Sequence, residues 1–209
     1  MNPKAPLKIA ILLSGGGRTL QNIQNAICRE ALDARIVVVI ASNPECYGVT
    51  LARQLGLPVH IVSRKTFGNT AGFSQALWAI VRQAQAELVC LAGFLSLITI
   101  PEDFAGRVIN IHPALLPAFG GKGMFGHHVH EAVLAAGCKV SGCTVHYCDQ
   151  TYDTGPILVQ RTCPVEEEDT PDTLAARVFE QECIAYPQAL QLIAQGRVTL
   201  EGRRARIRL

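Results

Sequence analysis

The residues that could perform chemistry begin with Asn110 and His112, two positions apart at the end of an apolar run. Side chains alternate between faces along a strand, so this amide and this imidazole are predicted to point the same way. An asparagine amide donates a fixed hydrogen bond, whereas a histidine also takes up and releases protons. The pair suits a reaction in which a carbonyl oxygen becomes an oxyanion while a proton moves nearby. Taken alone, residues 110–113 fit a buried structural pair more readily, because short motifs often arise by chance.

A carboxylate that could partner this histidine occurs later, at Asp153, in a turn-rich loop over residues 149–156. A carboxylate beside a histidine favours the charged imidazolium, and two such groups titrate as a unit. We therefore interpret Asn110, His112 and Asp153 together as the candidate catalytic set.

A glycine-rich turn near the N-terminus predicts an anion site. An apolar run over residues 8–13 leads into Ser14, Gly15, Gly16, Gly17, Arg18 and Thr19, and an amphipathic helix follows to about Cys28. This order places backbone N–H groups and a helix N-terminus around a phosphate. It is neither a dinucleotide fingerprint nor a Walker A motif, because position 20 is leucine and no Gly-Lys-Ser/Thr follows. A tight turn that needs positive φ is the alternative.

Alternating apolar strands and amphipathic helices predict a doubly wound α/β fold with a mostly parallel sheet. Ligands bind beyond the carboxyl ends of the strands in such sheets. Residues 14–17, 93–97 and 110–112 all fall at such ends, which favours a functional role for Asn110 and His112. The predicted strands cover residues 8–13, 35–41, 59–62, 88–92 and 108–112, and the predicted helices reach residue 28 and cover 48–55 and 71–85.

The second half begins with a Pro- and Gly-rich loop over residues 113–123, in which Leu116–Pro117 is the preferred candidate for a cis bond. A helix near residues 127–136 carries three histidines, interpreted as a surface cluster with one site histidine rather than a metal site. A strand over 139–147 places Thr144 and His146 on one face. The rest comprises a strand over 157–163, a helix from Thr170 to Gln195 interrupted near Pro187, and a solvated tail with Arg203, Arg204, Arg206 and Arg208.

Composition narrows the class of protein. The chain has 209 residues and 49% hydrophobic side chains, which predicts one domain over residues 1–209. A net charge of +2 gives no support for a nucleic-acid partner. Eight cysteines without a Cys-x-x-Cys pair predict reduced thiols, no metal and a cytoplasmic location. No signal peptide or membrane span is predicted.

Four separated motifs resemble the folate-dependent formyltransferases, in the order expected for that family. The likeness extends from about Lys8 to Val198. The motifs are Leu91-Ala92-Gly93-Phe94, Asn110-Ile111-His112-Pro113-Ala114-Leu115-Leu116-Pro117, Ser141-Gly142-Cys143-Thr144-Val145-His146 and Asp153-Thr154-Gly155-Pro156.

The resemblance implies a Rossmann-like formyltransferase fold with a C-terminal antiparallel strand and a long helix. It also implies direct formyl transfer from 10-formyltetrahydrofolate, as cosubstrate and without a metal, to an amine. In the branch that this chain most resembles, the acceptor is glycinamide ribonucleotide of de novo purine biosynthesis. The implied partners are these small molecules, with a monomer or homodimer as the assembly.

Motif by motif, the resemblance implies that Asn110 and His112 stabilise the oxyanion and that Asp153 supports the His112 imidazolium. Thr144 and His146 match supporting positions. The implied ribonucleotide-binding residues are Gly15, Gly16, Gly17, Arg18, Thr19 and Glu182, with the last at the ribose. The implied folate-binding residues are Phe94, Leu95, Ser96, Leu97, Ile98, Asp149, Gln150, Thr151 and Tyr152.

The chain departs from the family pattern at several positions. Thr70 and Ser96 stand where arginines are common, and Arg18 is a candidate replacement for the first of these. The loop over residues 120–128 is also longer and carries Lys122. These departures concern the phosphate and pterin contacts and leave the reaction class unchanged.

Other members of the family are alternatives. A tRNA formyltransferase would carry a further C-terminal domain, and a formyltetrahydrofolate deformylase an N-terminal one, so the chain's length argues against both. A formyltransferase acting on an amino sugar nucleotide and a non-catalytic folate or nucleotide binder stay open. The binder has no need of Asn110, His112 and Asp153 together.

Overall fold

A computed structural model describes residues 5–208 and contains a seven-stranded, mostly parallel sheet with the strand order β3-β2-β1-β4-β5-β6-β7. The α/β class predicted from the sequence is confirmed. The strands are β1 Leu7–Leu13, β2 Ala34–Ala41, β3 Val59–Ile61, β4 Leu88–Leu91, β5 Val108–His112, β6 Val140–Tyr147, β7 Ile157–Pro164, β8 Val198–Glu201 and β9 Arg204–Ile207. The helices are α1 Arg18–Cys28, α2 Tyr47–Gln54, α3 Thr70–Gln83, α4 His127–Ala135 and α5 Pro171–Ala194.

The chain divides into two compact units between Ile109 and Asn110. In the first unit, β1 pairs in parallel with β2 on one side and β4 on the other, so Ile11 faces both Val39 and Cys90. The side chains of residues 9–13 are completely buried. A strand buried on both faces needs apolar residues at every position, which explains the continuous apolar run. The predicted single domain over residues 1–209 stays a prediction.

In the second unit, β6 pairs antiparallel with β7, and α5 packs against both strands. The start of α5 is fixed by a capping box in which Thr170 and Thr173 exchange hydrogen bonds. The predicted interruption near Pro187 is wrong, because α5 continues through this proline. The flanking Tyr186 and Ala189 are fully buried, so packing of the apolar face outweighs the cost of proline inside the helix.

The arginines of the predicted solvated tail are exposed, but the predicted tail is wrong, because they lie in or beside a hairpin formed by β8 and β9. The Arg206 guanidinium lies 2.6 Å from the Glu201 carboxylate, and Arg203 donates to the carbonyl of Thr154 at 2.9 Å. The alternation of arginine with alanine and isoleucine is a strand pattern that a reading by charge alone overlooks. A cavity of about 390 Å³ is lined by Gly155, Ile157, Arg203, Arg204, Ala205 and Arg206.

All eight cysteines have free thiols, and they differ in exposure. Cys28 is exposed, at the end of α1, whereas Cys143 is completely buried in β6. Burial, with the nearby Glu182 carboxylate, raises the pKa of the Cys143 thiol to about 12. Between residues 5 and 208, no helix has the length and apolar character required to cross a bilayer.

Candidate active site

Asn110 lies on β5, where its amide nitrogen is 3.2 Å from Nε2 of His146 on β6. The other ring nitrogen of His146 lies 3.0 Å from the carbonyl oxygen of Tyr147. A carbonyl can only accept, so in the neutral ring Nδ1 carries the hydrogen and Nε2 accepts from Asn110. His146 thereby orients the amide of Asn110 and leaves its second N–H for another acceptor.

His112, the last residue of β5, is 3% exposed and lies between two acceptors. Its Nε2 is 2.8 Å from the carbonyl oxygen of Phe119, and its Nδ1 is 3.6 Å from Oδ2 of Asp153. Burial lowers the pKa of His112, whereas the Asp153 carboxylate and the Phe119 carbonyl offset part of that effect. The imidazole is therefore harder to protonate than an exposed one. Its Nε2 is hydrogen-bonded to the Phe119 carbonyl, whereas its Nδ1 lies near the Asp153 carboxylate without a direct hydrogen bond to it.

Asp153 has a left-handed backbone with φ of 55° and places its carboxylate near both imidazoles. Oδ2 accepts from the backbone N–H of Gly121 at 2.9 Å, and Oδ1 lies 3.5 Å from Nε2 of His146. Burial raises the pKa of Asp153, but hydrogen bonding by His146 and Gly121 and the charge of His112 outweigh it, so the net shift is downward. Nε2 of His146 donates to Asp153 only when protonated, and Asn110 must then turn its amide oxygen towards that ring.

Thr144 is hydrogen-bonded to the segment that follows His112. Its hydroxyl donates to the carbonyl of Ala114 at 2.6 Å and accepts from the N–H of Leu116 at 3.0 Å. The Leu116–Pro117 bond is cis, as predicted. Gln160, which the sequence did not single out, also donates to the Thr144 hydroxyl at 3.0 Å.

The glycine-rich turn of the first unit has the geometry of an exposed backbone cradle. Gly17 has φ of 80° and precedes α1, whose first turn has no side-chain cap. Gly15 and Gly16 have open space where a Cβ would lie, and Arg18 and Thr19 follow, with Arg18 exposed. Of the three glycines, only Gly17 requires glycine for its backbone conformation. Glycine at positions 15 and 16 instead leaves the backbone open to a ligand, which favours a phosphate cradle.

The segment over residues 94–98 lies in the first unit and presents apolar surface. Leu95 is 59% and Leu97 is 42% exposed, and Phe94 stacks on Phe73 with ring centroids 6.4 Å apart. Ser96 is half-buried and Ile98 is buried, so Ile98 supports the segment from within. Exposed leucines beside a stacked phenylalanine are typical of a wall that binds a flat ligand.

A guanidinium stands beside Thr70, although the sequence pattern had placed none there. Arg64 donates to the carbonyl of Phe67 at 2.8 Å and to the hydroxyl of Thr70 at 3.4 Å. Sequence reasoning missed Arg64 because it lies six positions earlier, in a short 3-10 turn.

The remaining predicted residues lie in the second unit. Asp149 accepts from the N–H of Thr151 and the hydroxyl of Thr154, each at 2.8 Å, and so closes the loop over residues 149–154. Gln150 and Tyr152 are exposed on that loop, and Glu182 is half-buried on α5.

The three histidines of α4 separate by exposure. His127 and His128 are exposed, whereas His130 is buried and its Nδ1 has no hydrogen-bond partner among the described residues. Between residues 5 and 208, no three His, Cys, Asp or Glu side chains form a group that could hold a metal ion.

Comparison with known proteins places this geometry in a family. Residues 7–190 match the model of the formyl transferase family. The chain is 40% identical over 194 residues to phosphoribosylglycinamide formyltransferase, chloroplastic, of Vigna unguiculata, covering 91% of this chain and 62% of that protein. It is 37% identical over 194 residues to the trifunctional purine biosynthetic protein adenosine-3 of Gallus gallus, covering 92% of this chain but 19% of that protein.

Solved structures agree with these relatives. Glycinamide ribonucleotide transformylase 1 from Symbiobacterium toebii superimposes with a TM-score of 0.92 and 36% identity, over 97% of this chain and 94% of that one. Phosphoribosylglycinamide formyltransferase from Anaplasma phagocytophilum gives 0.85 and 35%, over 97% and 94%. The motif resemblance, the sheet and these matches agree, and the chain belongs to the formyl transferase family.

Proposed function

We propose that this protein transfers the formyl group of 10-formyltetrahydrofolate to the amine of glycinamide ribonucleotide, in de novo purine biosynthesis. The observation that carries the proposal is the position of His112, with the Phe119 carbonyl at Nε2, the Asp153 carboxylate near Nδ1 and Asn110 held on the same strand. Relatives named for this reaction align over nearly the whole chain, although two of the curated ones extend well beyond it.

The amine of the ribonucleotide attacks the formyl carbon, and the carbonyl oxygen becomes an oxyanion. Asn110 donates its second amide N–H to that oxygen, and protonated His112 donates to it through Nδ1, which makes no direct hydrogen bond to Asp153. Asp153 stabilises the imidazolium. As the new C–N bond forms and the bond to N10 of the folate breaks, the proton lost by the amine reaches N10, with His112 as its carrier.

The binding roles follow the motifs. Gly15, Gly16, Gly17, Arg18 and Thr19 hold the ribonucleotide phosphate, and Glu182 binds the ribose. By motif, residues 94–98 of the first unit and residues 149–152 of the second are each assigned to folate binding, and Thr144 and His146 to support of the catalytic residues. We expect a cytoplasmic monomer or homodimer that uses no metal and binds no nucleic acid.

The decisive assay follows consumption of 10-formyltetrahydrofolate with glycinamide ribonucleotide, with an amino sugar nucleotide, with methionyl-tRNA and with water alone. We expect turnover only with the ribonucleotide. Equal turnover in water would identify a hydrolase, and turnover with the amino sugar alone would assign a different acceptor. Binding of both ligands without turnover would identify a non-catalytic homologue.

A further inference from the structure

Gln160 on β7 makes two polar contacts that none of the roles above explains. It lies opposite Thr144 in the β6–β7 pairing. Its side-chain nitrogen donates to the carbonyl of Leu116 at 2.9 Å and to the hydroxyl of Thr144 at 3.0 Å. One hydrogen of the amide group is therefore directed at the segment that follows His112, and the other at the β6 threonine that also binds this segment.

The Thr144 hydroxyl that Gln160 contacts makes every hydrogen bond open to a hydroxyl group. A threonine hydroxyl donates once and accepts twice, and Thr144 does so with Ala114, Leu116 and Gln160. Loss of the Gln160 donor would leave the Leu116 carbonyl and one lone pair of the Thr144 hydroxyl unsatisfied in a partly buried place. Such unsatisfied groups are costly, so the segment would move to find other partners.

The segment that Gln160 holds also carries two contacts to the candidate catalytic pair. The Phe119 carbonyl lies 2.8 Å from Nε2 of His112, and the Gly121 N–H donates to Asp153 at 2.9 Å. The turn between them is closely packed, since a Cβ at Gly120 would lie 3.2 Å from Cβ of Asp153. A displacement of this segment would therefore change what both His112 and Asp153 contact.

We propose that Gln160 is a positioning residue: through Leu116 and Thr144 it holds the Phe119 carbonyl against His112 and the Gly121 N–H against Asp153. The inference deepens the proposed function, on which its catalytic consequence rests. Gln160 touches no reacting atom in this role. It acts across two strands, by fixing which backbone groups meet the catalytic side chains.

The test compares Gln160→Met and Gln160→Glu with Thr162→Ala, a change at an exposed position of the same strand. Nuclear magnetic resonance follows the titration of the His112 ring, assigned with His112→Gln. In Gln160→Met we expect the midpoint to move to lower pH, because the Phe119 carbonyl that favours the imidazolium is no longer held in place. Thr162→Ala should leave it unchanged. An unshifted midpoint in Gln160→Met overturns the proposal.

Kinetics form the second arm. With the proposed acceptor, glycinamide ribonucleotide, kcat of Gln160→Met should fall about 10- to 100-fold, the scale of a small misplacement, with little change in either KM. Wild-type kcat together with a shifted titration would remove Gln160 from catalysis and overturn the proposal. The titration needs no substrate, so it tests whether Gln160 positions the Phe119 carbonyl against His112 even if the proposed reaction is wrong.

Gln160→Glu provides a second test that stays informative if Gln160→Met does not fold. An ionised glutamate cannot donate to the Leu116 carbonyl, whereas a protonated one can. The ratio of its turnover to that of the wild type should therefore rise as the pH falls towards the pKa of that glutamate. A constant ratio, in a folded variant, would mean that donation from this position does not matter and would overturn the proposal.

Discussion

At the scale of single residues, the candidate site surrounds one buried imidazole with fixed acceptors. Burial opposes the charge on His112, and the Asp153 carboxylate and the Phe119 carbonyl favour it. A histidine balanced in this way can hold a proton during a reaction and release it afterwards. Asp153 is held for this task by a left-handed backbone, which aspartate and asparagine tolerate better than most residues.

Replacement of Asp153 by asparagine tests this balance, because the shape and the left-handed conformation are kept and the charge is removed. We expect kcat to fall by ~10²-fold or more, with folate affinity largely intact. The pKa of His112 should fall further. Steady-state kinetics and a ring titration measure both, with Asp172→Asn at an exposed position as the control. Near-wild-type turnover would remove Asp153 from the mechanism.

The charge that meets the ribonucleotide phosphate can be tested at Arg18. We expect Arg18→Ala to raise KM for the ribonucleotide by roughly 10-fold or more, the scale of one charge-assisted hydrogen bond, with little change in folate affinity. Arg64→Ala is the comparison, because its guanidinium stands beside Thr70. If only Arg64→Ala raises that KM, the phosphate charge is met from the 3-10 turn.

Side-chain chemistry at the site was predictable from the sequence, and backbone chemistry was not. The types and spacing of Asn110, His112 and Asp153, together with the strand-end position of the first two, were sufficient to select them as candidates. The Phe119 carbonyl left no signal, because every residue has one and its direction depends on the loop. Gln160 was missed because it is an exposed polar residue on a strand, and the sequence does not show its partner across the sheet.

At the scale of elements, the strand ends and loops hold the site through close backbone approaches. Gly155 is the clearest case, because a Cβ there would lie 1.8 Å from the carbonyl oxygen of Tyr147. That carbonyl also accepts from Nδ1 of His146. The loop that carries Asp153 is thus packed against the group that orients His146.

Gly155→Ala should therefore destabilise the protein by about 1–3 kcal/mol and lower turnover, because the two backbones must separate. Gly68→Ala is the matched control, since nothing lies within 4 Å of its Cβ position and its φ is not left-handed. We expect that variant to stay within about 0.5 kcal/mol of the wild type. Urea unfolding measures both, and an unaffected Gly155→Ala would contradict the close approach.

Element types were predicted well because each long segment had one clear period. The predicted elements were wrong where the preference of single residues and the packing of the whole element favour different structures. Proline at position 187 predicted a break, but buried residues on either side keep α5 continuous. Arginines near the C-terminus predicted a tail, but their alternation with apolar residues forms a hairpin.

At the scale of the whole molecule, buried ionisable groups make stability depend on pH. Burial lowers the pKa of His112 and His130, so between their native values and about 6.5 the unfolded chain binds more protons. The free energy of unfolding should fall as the pH drops through that window. The Arg177 guanidinium lowers the pKa of Asp169. The stability that Asp169 contributes is complete above about pH 4, and it is lost as the pH falls through the lowered pKa of Asp169 in the native state.

His130→Leu should weaken the first of these losses, because it removes a buried titrating ring. Urea unfolding at about pH 7.5 and about pH 5.5 should show a smaller difference for this variant than for the wild type. His128→Gln, at an exposed position of the same helix, should behave as the wild type does. An undiminished loss in His130→Leu would mean that His130 is not neutral in the native state.

The uneven exposure of the thiols makes the molecule suitable for fluorescence. A thiol reagent should reach exposed Cys28 first, while Cys143, with its pKa of about 12, stays protonated and unreactive. Cys28 ends α1, and the phosphate turn precedes the start of that 11-residue helix. A dye there would sit about 16 Å from the turn, at 1.5 Å per residue. It would report on ribonucleotide binding while attached to a rigid helix and clear of the ligand.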